Sequence, residues 1–228
     1  MICAVMQPYL FPYVGYYQLV EASDCFILYD DVTYIKQSYI NRNSIVANGN
    51  VSRFSLPVLG ASSNVLIQNL EYSDSKKILK TLYQAYSRSP YFSDVFPMIE
   101  RVFCQENRSI THVNRLSIEV VFEYLGKEKN ILVASEIDYD RKADRAARLI
   151  ELSKINGCDQ YINSPGGKEL YDKEFFSQQG VDLKFISAGV PQYPQLAKEF
   201  VSHLSIIDVL MNCSKVELSN MLKLYKLN

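Results

Sequence analysis

The chain has 228 residues, of which 48% are hydrophobic and 21% are charged, and its formal net charge is −1. A chain of this length can bury one sizeable core. The near-zero net charge offers no global field for nucleic acid, so we do not expect a nucleic-acid-binding protein. No run approaches the roughly 18 apolar residues of a membrane span, and no basic segment marks a signal peptide. We therefore expect a cytoplasmic protein.

The five cysteines are scattered along the chain, at positions 3, 25, 104, 158 and 213. No two are spaced as in a C-x-x-C motif, and only two histidines are present, so the sequence carries no zinc-ligand or Cys-His pattern. Cys3 and Cys25 fall within apolar runs, where a thiol serves as a small core residue. We expect reduced, structural thiols and no metal site.

Two apolar runs near the N-terminus predict a strand–helix–strand unit. Residues 2–6 form the first run and residues 25–29 form the second. Between them, residues 14–22 carry apolar side chains at helical spacing. Such a unit joins two parallel strands by a right-handed crossover. A hairpin is predicted over residues 44–58, with Ala-Asn-Gly-Asn at 47–50 as its turn.

The rest of the chain predicts a helical middle and an alternating last third. The middle is an insertion at about 74–126 with helices at 75–87, 90–105 and 109–125. Alternating strands and helices are typical of a parallel sheet with helices on both faces. Strands are expected at 131–134, 160–163 and 182–186, and helices at 141–156, 168–178, 206–212 and 215–225. We predict a single α/β domain over residues 1–228, with a Rossmann-like sheet.

Polar side chains crowd the ends of the two N-terminal strands. Gln7 and Tyr9 follow the first strand, and Asp30 and Asp31 follow the second. In an open parallel sheet, ligands bind at the carboxyl ends of the strands. Adjacent residues of a strand point to opposite faces, so at most one of the two carboxylates faces this crevice. Each is a candidate catalytic group, a Mg²⁺ ligand beside substrate phosphates, or merely the cap of a turn.

A basic and amide-rich segment, YIKQSYINRN, follows the carboxylates directly. Arg42 offers a planar fork that suits phosphate or carboxylate, and Asn41 and Asn43 offer paired donors and acceptors to a sugar. Lys36 is a further candidate catalytic group, and Tyr39 offers a ring face for stacking. The alternative is a solvated polar loop that leads into the hairpin.

Two later segments carry weaker signals. Ser164 and Gly166 belong to a Ser-Pro-Gly-Gly loop between a predicted strand and a predicted helix, a position where backbone amides and a helix N-terminus bind anions. The loop matches no phosphate-binding motif, so a tight turn is the alternative. Tyr193 lies in a segment rich in proline and glutamine, which either covers the crevice or merely connects two elements. His112 is expected to be a structural or solvated histidine.

The segment QPYLFPYVGYYQLVEASDCFILYDDVTYIKQSYINRN resembles the WbqC-like protein family, whose pattern reads approximately QPYxxPxxGYxxxI, DxFxxxDDVx[YF] and NRN. Later stretches agree, among them Tyr-Ile-Asn-Ser at 161–164 and Leu-Ser-Ile-Ile-Asp at 204–208, so the resemblance covers essentially the whole chain. The chain departs from the pattern at Met6, where many members have histidine, and at His203, where many have proline. We therefore do not expect a mechanism that needs a histidine after the first strand.

The resemblance implies a transferase of bacterial O-antigen or surface-polysaccharide biosynthesis, which moves glycine or another aminoacyl or acyl group onto an amino-sugar nucleotide. Asp30 or Asp31 would bind or deprotonate the acceptor amine. Arg42 with its neighbouring asparagines would hold the phosphate or the sugar, and Tyr9 and Tyr39 would stack on the base or the sugar. The donor is an aminoacyl-tRNA, an acyl carrier or an adenylate, and the sequence does not choose among them.

Two alternatives remain open. The first is a non-catalytic protein of the same pathway that binds a sugar nucleotide, because the sequence shows no nucleophile and no base with an orienting partner. The second is a divergent nucleotidylyltransferase, because Tyr13 and Tyr16 lie where enzymes of the HIGH superfamily place the histidines of an H-x-G-H motif. Tyrosine supplies no positive charge near neutral pH, which counts against nucleotidyl transfer.

Overall fold

The N-terminal apolar runs form the predicted strand–helix–strand unit. In a computed structural model, which describes residues 1–228, β1 spans Ile2–Met6, α1 spans Val14–Ala22 and β2 spans Cys25–Leu28. β1 and β2 pair in parallel, and every residue of β2 is buried. The sequence shows no polar alternation in β2 because both faces of this sheet are covered.

A two-residue turn closes the hairpin that follows. β3 spans Arg42–Ala47 and β4 spans Asn50–Ser55, and between them Asn48 and Gly49 have φ angles of 52° and 76°. Positive φ at both central residues is the geometry of a type I′ turn, which asparagine followed by glycine adopts at low cost. The predicted hairpin is confirmed, although it spans residues 42–55 rather than 44–58.

Three helices occupy the middle of the chain after a short strand pair that the sequence does not indicate. The elements are β5 (Val58–Leu59), β6 (Glu71–Tyr72), α2 (Lys76–Tyr86), α3 (Phe92–Phe103) and α4 (Ile110–Tyr124). The hydroxyl of Ser109 accepts a hydrogen bond from the amide of His112 and thereby caps α4. Gly126, with a φ of 68°, follows the end of the same helix.

Strands and helices alternate in the last third of the chain, as predicted. The elements are β7 (Ile131–Val133), α5 (Arg145–Ile155), β8 (Gln160–Asn163), α6 (Lys173–Gln178), β9 (Asp182–Ala188), α7 (Ile206–Asn212), α8 (Lys215–Met221) and β10 (Tyr225–Leu227). Three predicted helices have wrong bounds. The helix expected from residue 141 begins at Arg145, where Asp144 caps it. The helix expected from residue 168 begins only at Lys173, where Asp172 caps it. The helix expected to reach residue 225 ends at Met221, because β10 instead pairs with the open edge of β9.

The six strands of the main sheet lie in the order β10-β9-β8-β1-β2-β7. All neighbours are parallel except β10, which runs antiparallel to β9. The chain builds outwards from β1 to β2 and β7, and then returns to add β8 on the other side of β1. The fold is therefore α/β, with a mixed but mostly parallel sheet. Its strand order reverses between β1 and β8, and such a reversal marks a place where α/β sheets bind ligands.

Helices cover both faces of this sheet. Ala4 of β1 joins a core of 43 buried residues that includes α1 and α4, whereas Cys3 and Val5 join a second core of 15 buried residues that includes α5 and α6. The Tyr17 hydroxyl of α1 donates to the carbonyl oxygen of Ser117 in α4 at 3.0 Å. The last helix of the expected insertion is thus packed beside α1 against the sheet. No helix has the length and apolar content needed to span a membrane.

One buried asparagine joins three parts of the chain. Asn114 of α4 is fully buried, and its amide donates to the carbonyl oxygens of Pro8 and Ile40, each at 2.9 Å. Its Oδ1 accepts a hydrogen bond from the Tyr72 hydroxyl at 3.0 Å. The loop after β1, the segment before β3 and the strand β6 are therefore all held against α4.

Replacing Asn114 by alanine should lower the free energy of unfolding by about 2–4 kcal/mol, because the change leaves several buried polar groups without partners. Urea unfolding followed by circular dichroism measures this loss. Asn64→Ala is the matched control, because Asn64 is exposed, and its effect should stay within about 0.5 kcal/mol. Equal losses in the two variants would show that Asn114 holds nothing together.

Candidate functional site

Four parallel strands end at one edge of the sheet, and polar residues follow each of them. Gln7 follows β1, Asp30 lies two residues beyond β2, Ser135 lies two residues beyond β7, and Ser164 follows β8. The parallel pairing places these carboxyl ends side by side. The candidate site therefore has its polar groups on one edge of the sheet.

The carboxylate of Asp30 is buried but well supplied with hydrogen bonds. Its Oδ1 accepts from the backbone amide of Ser135 at 3.0 Å, and its Oδ2 accepts from the hydroxyls of Ser135 at 2.9 Å and Thr111 at 3.0 Å. An ionised carboxylate has about four acceptor positions. These three donors therefore leave about one acceptor position, on Oδ1, without a donor from the protein.

Asp30 lines a polar cleft of about 450 Å³. The N-terminal half of α4 contributes Thr111, His112 and Arg115 to its lining, and the turn after β7 contributes Ser135. Only one of the eleven lining residues is hydrophobic. The guanidinium of Arg115 is paired with Glu119 of the same helix at 2.7 Å. Such a lining suits a polar ligand with many hydrogen-bonding groups.

Asp31 contacts a different set of partners, as the alternation of side chains along an extended chain predicts. Its Oδ2 accepts from the Tyr139 hydroxyl at 2.7 Å and from Nε of Arg141 at 2.9 Å. Arg141 Nη2 also donates to the carbonyl oxygens of Ala134 at 3.1 Å and Ile137 at 2.8 Å. Asp31 thereby anchors, through one arginine, the turn that carries the Ser135 donors. Burial and the bond to Asp31 raise the pKa of Tyr139, which stays a neutral donor.

A second, smaller hollow of about 150 Å³ lies beside the hairpin. Arg42 and Arg53 line it together with Tyr39, and neither guanidinium forms an ion pair within the chain. Arg42 is paired with Ser55 and Arg53 with Ser44, so the two arginines are diagonal neighbours on one face of the hairpin. Two guanidinium groups without counter-charges suit an anion such as a phosphate or a carboxylate.

Tyrosine rings lie next to this hollow. The ring centroid of Tyr39 lies 5.7 Å from that of Tyr9 and 6.1 Å from that of Tyr13. Tyr39 is 43% exposed, so part of its ring is available for stacking. Tyr16, by contrast, is buried and donates its hydroxyl proton to the Gln7 carbonyl oxygen at 2.9 Å. Burial raises the pKa of Tyr16, so it stays neutral inside the protein.

Three of the predicted ligand-binding side chains have partners inside the protein. Asn43 is buried, and its amide donates to a carbonyl oxygen of the loop after β1 at 2.8 Å. The Asn41 amide donates to the carbonyl oxygen of Leu56 at 3.0 Å. The Tyr193 hydroxyl donates to the buried carboxylate of Asp208 at 2.9 Å. These contacts fix the chain around the hairpin.

The remaining candidates lie in loops. Lys36 is exposed, and Gln7 takes part in hydrogen bonding through its backbone carbonyl. The amide of Ser164 donates to the Asn163 side chain at 2.7 Å, and Gly166 is exposed. The loop after β8 continues as a short 3-10 turn, and the six-residue helix α6 begins only later. The helix N-terminus that was expected at residue 168 therefore lies at Lys173, further along the chain from Ser164 and Gly166.

The profile of the WbqC-like protein family matches residues 7–220. This range includes Asp30, Asp31 and the hollow lined by Arg42 and Arg53, which we call the arginine hollow. The chain belongs to the WbqC-like protein family. Uncharacterized protein Rv1507c of Mycobacterium tuberculosis is 24% identical to this family member over 217 residues, which cover 92% of each of the two chains. No solved structure matches the chain.

Three residues of the site of this WbqC-like protein are not singled out by its sequence. Ser135 carries a signal in principle, because it follows a predicted strand, as Asp30 does. Nothing in the sequence around Thr111 or Arg53 indicates that either residue belongs to the site. Thr111 reaches Asp30 because α4 packs against the sheet, and Arg53 reaches Arg42 through the register of the hairpin.

Burial raises the pKa of Asp30, and the hydrogen bonds from Ser135 and Thr111 only partly oppose this shift. The folded protein therefore keeps a proton on Asp30 at pH values where the unfolded chain has lost it. The contribution of Asp30 to stability is full below about pH 4, where the unfolded aspartate is protonated, and falls as the pH rises through the higher pKa of the folded state.

Asp30→Asn removes this titration. The free energy of unfolding of the variant, measured relative to that of the unmodified protein, should therefore increase as the pH rises from about 4 to about 7. Chemical denaturation at a series of pH values measures the difference. Asp94→Asn, at an exposed position, reports the general effect of losing one carboxylate. A difference that stays constant with pH for Asp30→Asn would contradict the raised pKa.

Proposed function

We propose that this WbqC-like protein is an acyl or aminoacyl transferase that modifies an amino-sugar nucleotide in bacterial O-antigen or surface-polysaccharide biosynthesis. The observation that carries the proposal is the Asp30 carboxylate, which is buried at the end of β2 and lines the polar cleft. Three protein donors leave it about one acceptor position. An amine of a bound sugar supplies the donor that this position lacks.

Asp30 has the properties of a general base for that amine. Its raised pKa brings the carboxylate closer to the basicity that is effective near neutral pH. In the proposed step the amine nitrogen forms a bond to the carbonyl carbon of the donor, and the bond from that carbon to the carrier oxygen or sulfur breaks. The amine proton passes to Asp30 and from there to the departing oxygen or sulfur, or to solvent where a phosphate leaves, and the products are an amide and the free carrier. An aminoacyl-tRNA, an acyl carrier and an adenylate all satisfy this balance.

The arginine hollow supports a nucleotide as the other part of the acceptor. Arg42 and Arg53 would bind its phosphates, and Tyr39, with Tyr9 beside it, would stack on its base or sugar. Numbered by their order along the chain, the strands of the main sheet run 3-2-1-4-5-6 from β7 to β10. Rossmann sheets that bind dinucleotides have the same strand order, although here the last strand, β10, is antiparallel. The shared order supports a nucleotide as part of the ligand.

The other predicted residues receive narrower roles. Asp31 is a positioning residue that acts through Arg141 on the turn with the Ser135 donors. Gln7 and Lys36 would contact the sugar and the charged part of the donor. The two carboxylates accept hydrogen bonds from different donors, so they have separate roles in this proposal.

A non-catalytic protein that binds a sugar nucleotide is the second candidate. It is favoured by the arginine hollow, which needs no catalytic group to bind a phosphate. Nucleotidyl transfer receives no comparable support, because Tyr16 is neutral and its hydroxyl is engaged by the Gln7 carbonyl oxygen.

The proposed function predicts that the protein binds a nucleotide-linked amino sugar. A uridine-diphosphate-linked amino sugar should raise the melting temperature of the protein, and Arg42→Ala should weaken its binding about 10- to 100-fold, because charge-assisted hydrogen bonds to phosphate contribute about 1.5–3 kcal/mol. Isothermal titration calorimetry gives both affinities. Arg88→Ala is the matched control, since Arg88 is exposed and lies outside the hollow. An unchanged affinity in Arg42→Ala would remove the hollow from the site.

The proposed function also predicts turnover. With each of the three donor classes, mass spectrometry of the amino-sugar nucleotide should reveal one acylated product. Asp30→Asn should reduce the rate of its formation by about 10²- to 10⁴-fold, the usual contribution of a general base. Calorimetry on the same variant should show a much smaller change in affinity. If no donor yields product and Asp30→Asn loses affinity alone, the protein is the non-catalytic binder.

A further inference from the structure

Three of the five cysteines, scattered along the sequence, meet at the other end of the sheet. Cys3 of β1 is paired in register with Cys25 of β2, and Cys158 lies in the turn between α5 and β8. The three Sγ atoms all lie within 4.8 Å of one another, and all three side chains belong to the core on the α5 face. Parallel pairing points the first two thiols to the same side of the sheet.

The spacing of the sulfurs is close to that of a metal–thiolate centre. A metal–sulfur bond of about 2.3 Å in a trigonal arrangement separates the sulfurs by about 4 Å, so closure of the cluster needs shifts of less than about 1 Å. No histidine or carboxylate joins the three thiols. Structural zinc almost always takes four protein ligands, whereas an all-thiolate set of three suits a softer ion.

We propose that Cys3, Cys25 and Cys158 form a site for a soft, thiophilic metal ion, and that Cu(I) is the ion this three-sulfur set fits. The site lies near a surface. Cys158 follows Gly157, whose φ of 69° makes a tight turn, and its other neighbour, Asp159, is exposed. Opening of this turn gives an ion access to the sulfurs. The site is independent of the Asp30 cleft, which lies at the carboxyl ends of the strands.

The test uses the full chain with Cys104→Ser as background, because Cys104 is an exposed thiol that would bind metal adventitiously. Cu(I) is titrated anaerobically against a chromogenic Cu(I) chelator. The background protein should take one equivalent of Cu(I) per chain from the chelator, and its melting temperature should rise. Adding Cys158→Ala, or separately Cys3→Ala, should weaken this binding more than about 100-fold.

Cys213→Ala is the matched control, since Cys213 is equally buried but lies outside the cluster. It should leave the affinity for Cu(I) within about threefold, a difference of about 0.7 kcal/mol. Circular dichroism identifies any variant that fails to fold, and the two independent cluster variants keep the test decisive. Absence of stoichiometric binding in the background, equal binding in all variants, or preferential uptake of Zn²⁺ over Cu(I) would overturn the assignment.

Discussion

A buried carboxylate at the end of β2 is the constraint around which the candidate site is built. Removing a charge from water is costly unless hydrogen bonds replace the lost hydration. The amide and hydroxyl of Ser135 and the hydroxyl of Thr111 supply this compensation for Asp30. Two of these donors come from the turn after β7 and the third comes from α4, so satisfying a single carboxylate fixes how two distant parts of the chain meet the sheet. The cleft lies where these parts meet.

Further hydrogen bonds hold the segments that surround Asp30. Asp31 binds Arg141, and Arg141 binds the carbonyl oxygens of the turn that carries Ser135. On the other side, Asn114 lies one helical turn after Thr111 and holds the carbonyl oxygen of Ile40, the residue next to Tyr39. The cleft and the tyrosine rings beside the hollow, those of Tyr9, Tyr13 and Tyr39, are therefore linked through adjacent turns of α4. In the proposed function, this link would fix the relative positions of the groups that bind the two ends of one ligand.

The sequence predicts the local elements well because their causes are local. The β1–α1–β2 unit, the Asn48-Gly49 turn and the alternation after residue 131 follow from apolar period, turn chemistry and strand-end rules. The sequence does not predict features that depend on a distant partner. β10 forms because the edge of β9 is open, and the thiols of Cys3, Cys25 and Cys158 meet because three strands pair. Asn43 is a residue type that often binds ligands. The sequence does not indicate that its amide donates to a carbonyl oxygen of the loop after β1. Periodicity and spacing carry no information on such contacts.

The distribution of charge places two charged groups of opposite sign on a nearly neutral protein. The formal net charge is −1, so long-range attraction is weak. Within the site, however, Arg42 and Arg53 lack counter-charges, whereas Asp30 carries an acceptor position without a protein donor. Two cationic groups at one place and an acidic acceptor at another are complementary to a molecule with an anionic end and an amine end. An amino-sugar nucleotide has both, while a simple nucleotide leaves the carboxylate unmatched and a free amino sugar leaves the arginines unmatched. For the proposed amino-sugar nucleotide, specificity would come from matching both ends at once, because each end alone leaves a buried or clustered charge without its partner.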